Sequence, residues 1–165
     1  METTVTDTEK IYALLAEITD PEIPVLSILD MGIVREVQFQ DDTVQIRITP
    51  TYTGCPAMDM ISMQIRTTLM LAGYKADVQT ILYPAWSTDW MSEDGKQKLR
   101  AYGIAPPMPK QSVCNDRLFA AEEAIQCPQC DSWHTHRISE FGSTACKALY
   151  QCDDCKEPFD YFKCH

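Results

Sequence analysis

Residues 43–73 read "TVQIRITPTYTGCPAMDMISMQIRTTLMLAG", and a change of period within them decides the fold. Val44, Ile46 and Ile48 alternate with polar residues, the pattern of a strand that buries one face. From Pro56 onward Met58, Ile61, Ile65, Leu69 and Ala72 recur at helical spacing, which stops at Gly73. Strand therefore gives way to helix, and Cys55 sits at the junction between Gly54 and Pro56. Upstream, "IVREVQFQ" (33–40) adds Val34, Val37 and Phe39, with Asp41-Asp42 as the turn of a hairpin. Downstream, "KADVQTILYP" (75–84) reads as a third strand ended by Pro84.

Helical patterns flank this unit. "KIYALLAEI" (10–18) lines Ile11, Leu14, Leu15 and Ile18 along one face, with Thr6 or Asp7 as cap. "DPEIPVLSILDMG" (20–32) offers Asp20 as N-cap, Pro21 at the first helical position and Gly32 at the end, while Pro24 keeps the helix short. "STDWMSEDGKQKLRAYG" (87–103) predicts a further helix capped by Ser87 or Thr88 and weakened by Gly95. The order α-α-β-β-α-β-α predicts an α/β domain over 1–104, a small three-stranded mixed sheet with packed helices. "GIAPPMPKQSV" (103–113) has three prolines in four positions and no apolar period. Residues 105–118 accordingly read as a Pro-rich linker, and 119–165 as a second, small all-β domain.

Composition narrows the function. Residues 1–104 carry 15 acids and 8 bases, and 105–165 carry 9 and 6, for a net charge of −10. Without a basic stripe, neither nucleic acid nor an anionic membrane surface is an expected partner. "METTVTDTEK" lacks the features of a signal peptide, and no apolar run approaches the roughly 20 residues of a membrane span. The chain reads as cytoplasmic, where eight cysteines favour thiols and metal sites over disulfides.

Four of those cysteines have metal-ligand spacing. Cys127-x-x-Cys130 and Cys152-x-x-Cys155 are 21 residues apart. A two-residue gap lets one tight turn aim both sulfurs at one ion, and two such turns complete a tetrahedral all-thiolate site. "SWHTHRIS", "CKALYQC" and "PFDYFKC" supply the strands of a zinc ribbon. About 45 residues bury too little core to fold unaided, so structural zinc would hold this part together. An iron–sulfur cluster accepts the same four ligands, whereas a redox dithiol needs only one pair. His134 and His136 fall on a predicted strand, on one face with Ile138, where a packing or exposed role outweighs ligation. Cys114, Cys146 and Cys164 read as ordinary thiols, with Cys146 in "FGSTACKALY" the strongest candidate for an additional functional one.

With Pro56 at the first helical position, Cys55 becomes an N-cap, where backbone amides and the helix dipole favour thiolate. Asp20 and Glu22, at another predicted helix start, are candidates for the same surface. A thiolate beside carboxylates suits a transient iron ligand better than an anionic nucleophile. The competing role is a small buried cysteine at a strand–helix junction. A Cys–His hydrolase pair is disfavoured because all three histidines, 134, 136 and 165, lie in the tail.

Asp20-Pro21-Glu22, Asp30-Met31-Gly32 and Thr49-x-Thr51-x-x-x-Cys55-Pro56 resemble the motifs of the iron–sulfur cluster assembly family. The tail "ISEFGSTACKALYQCDDCKEPFDYFKC" is similar to one subgroup, the PaaD-like proteins of the bacterial phenylacetyl-CoA epoxidase system. The resemblance implies an accessory maturation factor, not a catalyst. It would help place an iron or iron–sulfur centre on the phenylacetyl-CoA oxygenase subunits or on their iron–sulfur flavin reductase. Cys55 would be the iron or cluster ligand, with Asp20, Glu22, Thr49 and Thr51 nearby. A structural or scaffold subunit of the epoxidase complex, with Cys55 merely packed, is the alternative. The Glu-x-x-His motif of a di-iron oxygenase occurs nowhere in the chain. The open edges of a small sheet make a homodimer a further expectation.

Overall fold

In the computed structural model, which describes residues 5–108 and 124–163, the alternating stretch forms a strand and the helical stretch a helix, as expected. Strands β1 (Val34–Gln40), β2 (Thr43–Ile48) and β3 (Lys75–Thr80) form a sheet in the order β1-β2-β3. β1 and β2 pair antiparallel, and β2 and β3 pair parallel, so the sheet is mixed. The hairpin turn is tight because Asp41 takes a left-handed φ of 54°, a conformation aspartate tolerates better than most residues. Parallel pairing of β2 with β3 demands a long crossover, and helix α2 (Ala57–Leu71) supplies it.

Val44, Ile46 and Ile48 are buried, and so are Ile61, Ile65 and Leu69 of α2. Ile11 and Leu15 of helix α1 (Val5–Ala16) complete this core. Each fully buried side chain of this size contributes about 1.5–3 kcal/mol before entropy is counted. The expected cap of α1 is displaced, because the helix already includes Thr6 and Asp7.

No helix forms between Asp20 and Gly32. Asp20 does accept the backbone N–H groups of Glu22 and Ile23, at 2.7 and 2.9 Å. Pro24 then prevents the turn from propagating. The chain continues in turns stapled by Ser27 and Asp30, each of whose side chains accepts the other's backbone N–H. Gly32 closes the segment at φ +68°, so near the next layer that a Cβ would come within 2.4 Å of the Trp90 carbonyl oxygen.

The helix expected over 87–103 is divided. A 3₁₀ turn spans Thr88–Trp90, and helix α3 runs from Glu93 to Tyr102. Ser87 accepts the Asp89 N–H and so caps the turn, not the helix. Ser92, just before α3, donates its hydroxyl hydrogen to Asp30 at 3.0 Å and its backbone N–H to the Asp30 carbonyl at 2.9 Å.

The chain forms two compact units, one comprising residues 1–86 and 90–92, the other 87–89 and 93–165. The second holds α3 and a sheet of strands β4 (Ile104–Ala105), β5 (Thr135–Ser139), β6 (Lys147–Cys152) and β7 (Pro158–Phe162), in the order β4-β7-β6-β5. β4 pairs parallel with β7, and Ala105 is buried among Ile125, Ala148, Tyr150, Phe159 and Tyr161. Residue 105, expected to begin the linker, thus lies inside the ribbon's sheet, and Met108 packs on the same core. Most of the remaining expected linker falls outside the described residues.

Candidate metal centres and thiol site

Each Cys-x-x-Cys turn is shaped by its own backbone. In the first, Asp131 donates its N–H to the Cys127 carbonyl at 3.0 Å, and the Gln129 N–H points at the Cys127 sulfur at 3.4 Å. In the second, Lys156 donates to the Cys152 carbonyl, also at 3.0 Å. Both turns end on a left-handed residue, Asp131 at φ 62° and Lys156 at φ 66°. Arg100 of α3 braces the first turn, pairing with the Asp131 carboxylate and donating to the Gln126 side-chain carbonyl at 3.2 Å. The second turn leads out of β6, which the sheet fixes.

These turns gather Cys127, Cys130, Cys152 and Cys155 so that their sulfurs all lie within 4.8 Å of one another. Cys127 and Cys155 are 3.7 Å apart and Cys130 and Cys152 3.5 Å, sulfur to sulfur. A tetrahedral zinc with Zn–S bonds of about 2.3 Å requires sulfurs about 3.8 Å apart, so the four thiols fit that ion. Without it their protons compete. Despite the Ser132 amide beside it, Cys130 is pushed up to about 12 by burial and the other sulfurs. Cys152, which accepts the Cys155 backbone N–H, is lowered to about 7. Zinc bound there would make the site wholly thiolate and hold the two turns together, leaving no open coordination position.

Cys55 lies one residue further from the helix than expected, since Pro56 takes the N-cap position of α2. The thiol is half-buried, and its pKa is raised instead of lowered. Burial is the main cause, and Glu22 and then Asp20 add like-charge repulsion. The Ala57 N–H and the Tyr52 hydroxyl oppose this without prevailing. The helix start thus does reach the sulfur, but desolvation outweighs it. The fold brings Cys55 into the field of Glu22 and Asp20, residues more than thirty positions away. Asp20 is buried, and Thr49 and Thr51 are buried in the segment leading from β2 to Cys55. The Thr49 hydroxyl has no hydrogen-bond partner among the described residues.

The remaining sulfurs separate. Cys146 is buried with its sulfur 3.0 Å from the Thr144 hydroxyl, apart from the four-cysteine group. Cys114 and Cys164 fall outside the described residues. His136 lies on β5 and His134 just before it, both on the surface. Sequence reasoning did not single out Tyr52, although it stands only three residues before Cys55, or the left-handed Asp131 and Lys156.

The two units therefore define a class: an α/β domain with a half-buried thiol at the start of its crossover helix, joined to a ribbon whose four cysteines can hold one metal ion. Comparison with known proteins agrees for each unit. The family described as "Iron-sulfur cluster assembly protein" matches residues 8–81, and the "PaaD zinc beta ribbon domain" matches 111–163. A protein of Escherichia coli (strain K12), named as the D component of a "Putative 1,2-phenylacetyl-CoA epoxidase", is 51% identical over 157 residues, covering 94% of this chain and 92% of that protein. The chain belongs to this family, in which an iron–sulfur cluster assembly domain precedes a zinc ribbon. An "Fe-S protein maturation auxiliary factor" of Porphyromonas gingivalis is 33% identical over 96 residues, covering 55% of this chain and 89% of that one. Among solved structures, a domain of unknown function, DUF59, from Bacillus anthracis matches with a TM-score of 0.52 and 28% identity, over 55% of this chain and 89% of its own. Among the described residues no helix is long and apolar enough to cross a membrane.

Proposed function

We propose that this protein is a non-catalytic maturation factor of an aerobic phenylacetyl-CoA epoxidase system. It helps assemble or deliver an iron or iron–sulfur centre to the oxygenase subunits or to their iron–sulfur flavin reductase. The observation that carries the proposal is that the half-buried Cys55 thiol lies within the electrostatic field of Glu22 and Asp20, in the unit that matches the assembly family. A carboxylate field repels a free thiolate but attracts a cation. The arriving ion would displace the thiol proton and take sulfur as a soft ligand. Glu22 would lie on the cation's side, while Asp20, committed to two backbone amides, shapes the turn that carries it. Thr49 and Thr51 lie buried in the segment that leads to the thiol.

The ribbon, fixed by zinc at Cys127, Cys130, Cys152 and Cys155, serves as the docking module for the client. The site of action is the cytoplasm, and a homodimer formed through the sheet edges is compatible with it. The competing scaffold role leaves Cys55 idle, and ferrous iron separates the two. Fe²⁺ is titrated without oxygen into zinc-loaded wild type and Cys55→Ser. Wild type is expected to bind iron with thiolate-to-iron charge-transfer absorption, and the variant to lose that signal while keeping its zinc. Equal iron uptake by both would contradict the proposal and favour the scaffold.

A further inference from the structure

His134 and His136 flank Thr135, which faces inward: its hydroxyl donates to the Ile125 carbonyl at 2.6 Å and accepts the Ile125 N–H at 3.0 Å. His136 lies on β5 and His134 in the turn that enters it, where the Thr135 N–H donates to the Trp133 carbonyl at 3.0 Å; both imidazoles reach the surface, with side chains 78% and 46% exposed. Each ring is held from behind. His134 Nδ1 meets the Asp154 carboxylate at 3.2 Å, and His136 Nδ1 meets Asp153 at 2.9 Å. The backbone beneath is fixed as well, by the Asp153 N–H donating to the His134 carbonyl at 2.7 Å and the His134 N–H to the Ser132 hydroxyl at 3.0 Å.

An ionised carboxylate only accepts, so Nδ1 of each ring carries the hydrogen and Nε2 of the neutral ring keeps a free lone pair. With only Thr135, a strand residue, between them, the two backbones stand about 6.6–6.8 Å apart, a separation that two imidazoles can close around one ion with metal–nitrogen bonds of about 2.0–2.1 Å. A carboxylate bonded to the far nitrogen is the usual support of a metal-binding histidine.

We propose that Nε2 of His134 and Nε2 of His136 bind one divalent transition-metal ion of borderline softness, such as Zn²⁺ or Ni²⁺, with Asp154 and Asp153 orienting the rings. Among the described residues the four cysteines are the one group of three or more metal-ligating side chains. The histidine site therefore offers two protein donors, and water or a partner's side chain completes it. Such a site holds metal loosely and exchanges it quickly, unlike the closed thiolate site. It is independent of the reading of Cys55.

The test is calorimetric titration of Ni²⁺ into the full-length zinc-loaded protein, with imidazole NMR signals followed in parallel. Wild type is expected to take up one Ni²⁺ with its ribbon zinc retained, and the His134 and His136 signals are expected to be broadened first. The double variant His134→Gln/His136→Gln should keep its zinc and bind Ni²⁺ at least tenfold more weakly. Two results would overturn the proposal: no Ni²⁺ uptake by wild type, or undiminished uptake by the double variant. The first would leave two surface histidine–aspartate hydrogen bonds and the second would place the ion elsewhere.

Discussion

The sulfurs of Cys130 and Cys152 stand 3.5 Å apart although 22 positions of sequence separate the residues. A shared thiol proton can bridge one such pair, but only an ion bonded to all four sulfurs ties both turns together. Zinc removal by a chelator is therefore expected to unfold the ribbon. Binding free energies of about 10–16 kcal/mol for structural zinc match or exceed the roughly 5–15 kcal/mol stability of a whole domain. Hydrogen exchange at Leu149 and Tyr150, in the middle of β6, should accelerate to unprotected rates, and Cys152→Ser should do the same with zinc present. Protection that survived zinc loss would show a self-sufficient core.

Lys156 adopts φ 66° immediately after the second pair of ligands. A residue with a Cβ is disfavoured there by about 1–2 kcal/mol, and glycine is not, although it costs more entropy on folding. Lys156→Gly should stabilise the zinc-loaded ribbon by up to about 1 kcal/mol, seen as a later denaturant midpoint with an unchanged slope.

Gly32 presents the opposite case. Its φ of +68° and the 2.4 Å approach of the Trp90 carbonyl to a would-be Cβ leave no room for a methyl group. Gly32→Ala is expected to destabilise the first unit by roughly 2–4 kcal/mol through strain and overpacking together. A thermal unfolding midpoint equal to that of wild type would show that the backbone at Trp90 yields more easily than the neighbouring Asp30–Ser92 hydrogen bonds suggest.

Cys55 should titrate late. Burial leads in raising its pKa above the usual 9.0, and the carboxylates of Glu22 and Asp20 reinforce it. Because the folded value lies above the unfolded one, the thiol's contribution to stability is complete below the unfolded pKa. It is lost as pH rises through the folded pKa. Alkylation of Cys55 by iodoacetamide should accordingly be slower than for a free cysteine at neutral pH, with its midpoint above that of a free cysteine. Glu22→Gln should lower that midpoint, because one of the repelling charges is removed. A midpoint below that of free cysteine would mean that the helix N-terminus governs the sulfur.

How much of this was legible in the sequence depended on whether the signal was local. The alternation of Val44, Ile46 and Ile48 and the helical run from Met58 to Leu69 were readable because each period survives in a few neighbouring residues. The cysteine knuckles were readable for the same reason. The segment after Asp20 misled, since its capping residue and Pro21 announce a helix that Pro24 cancels. Strand β4 carries only two residues, too few for any period, and its pairing partners lie more than fifty positions away. The direction of the Cys55 shift depended on burial and on Glu22, neither of which local sequence could weigh against the helix amides.

The most direct test of the central claim is the iron content of the epoxidase system's oxygenase and reductase, purified from cells whose sole copy of this protein is Cys55→Ser. The variant must be shown to fold and to retain its ribbon zinc. The account predicts that one of those two clients then arrives depleted of its iron centre, while Cys55 wild type restores it. Full iron occupancy in both clients would contradict a metal-handling role for Cys55.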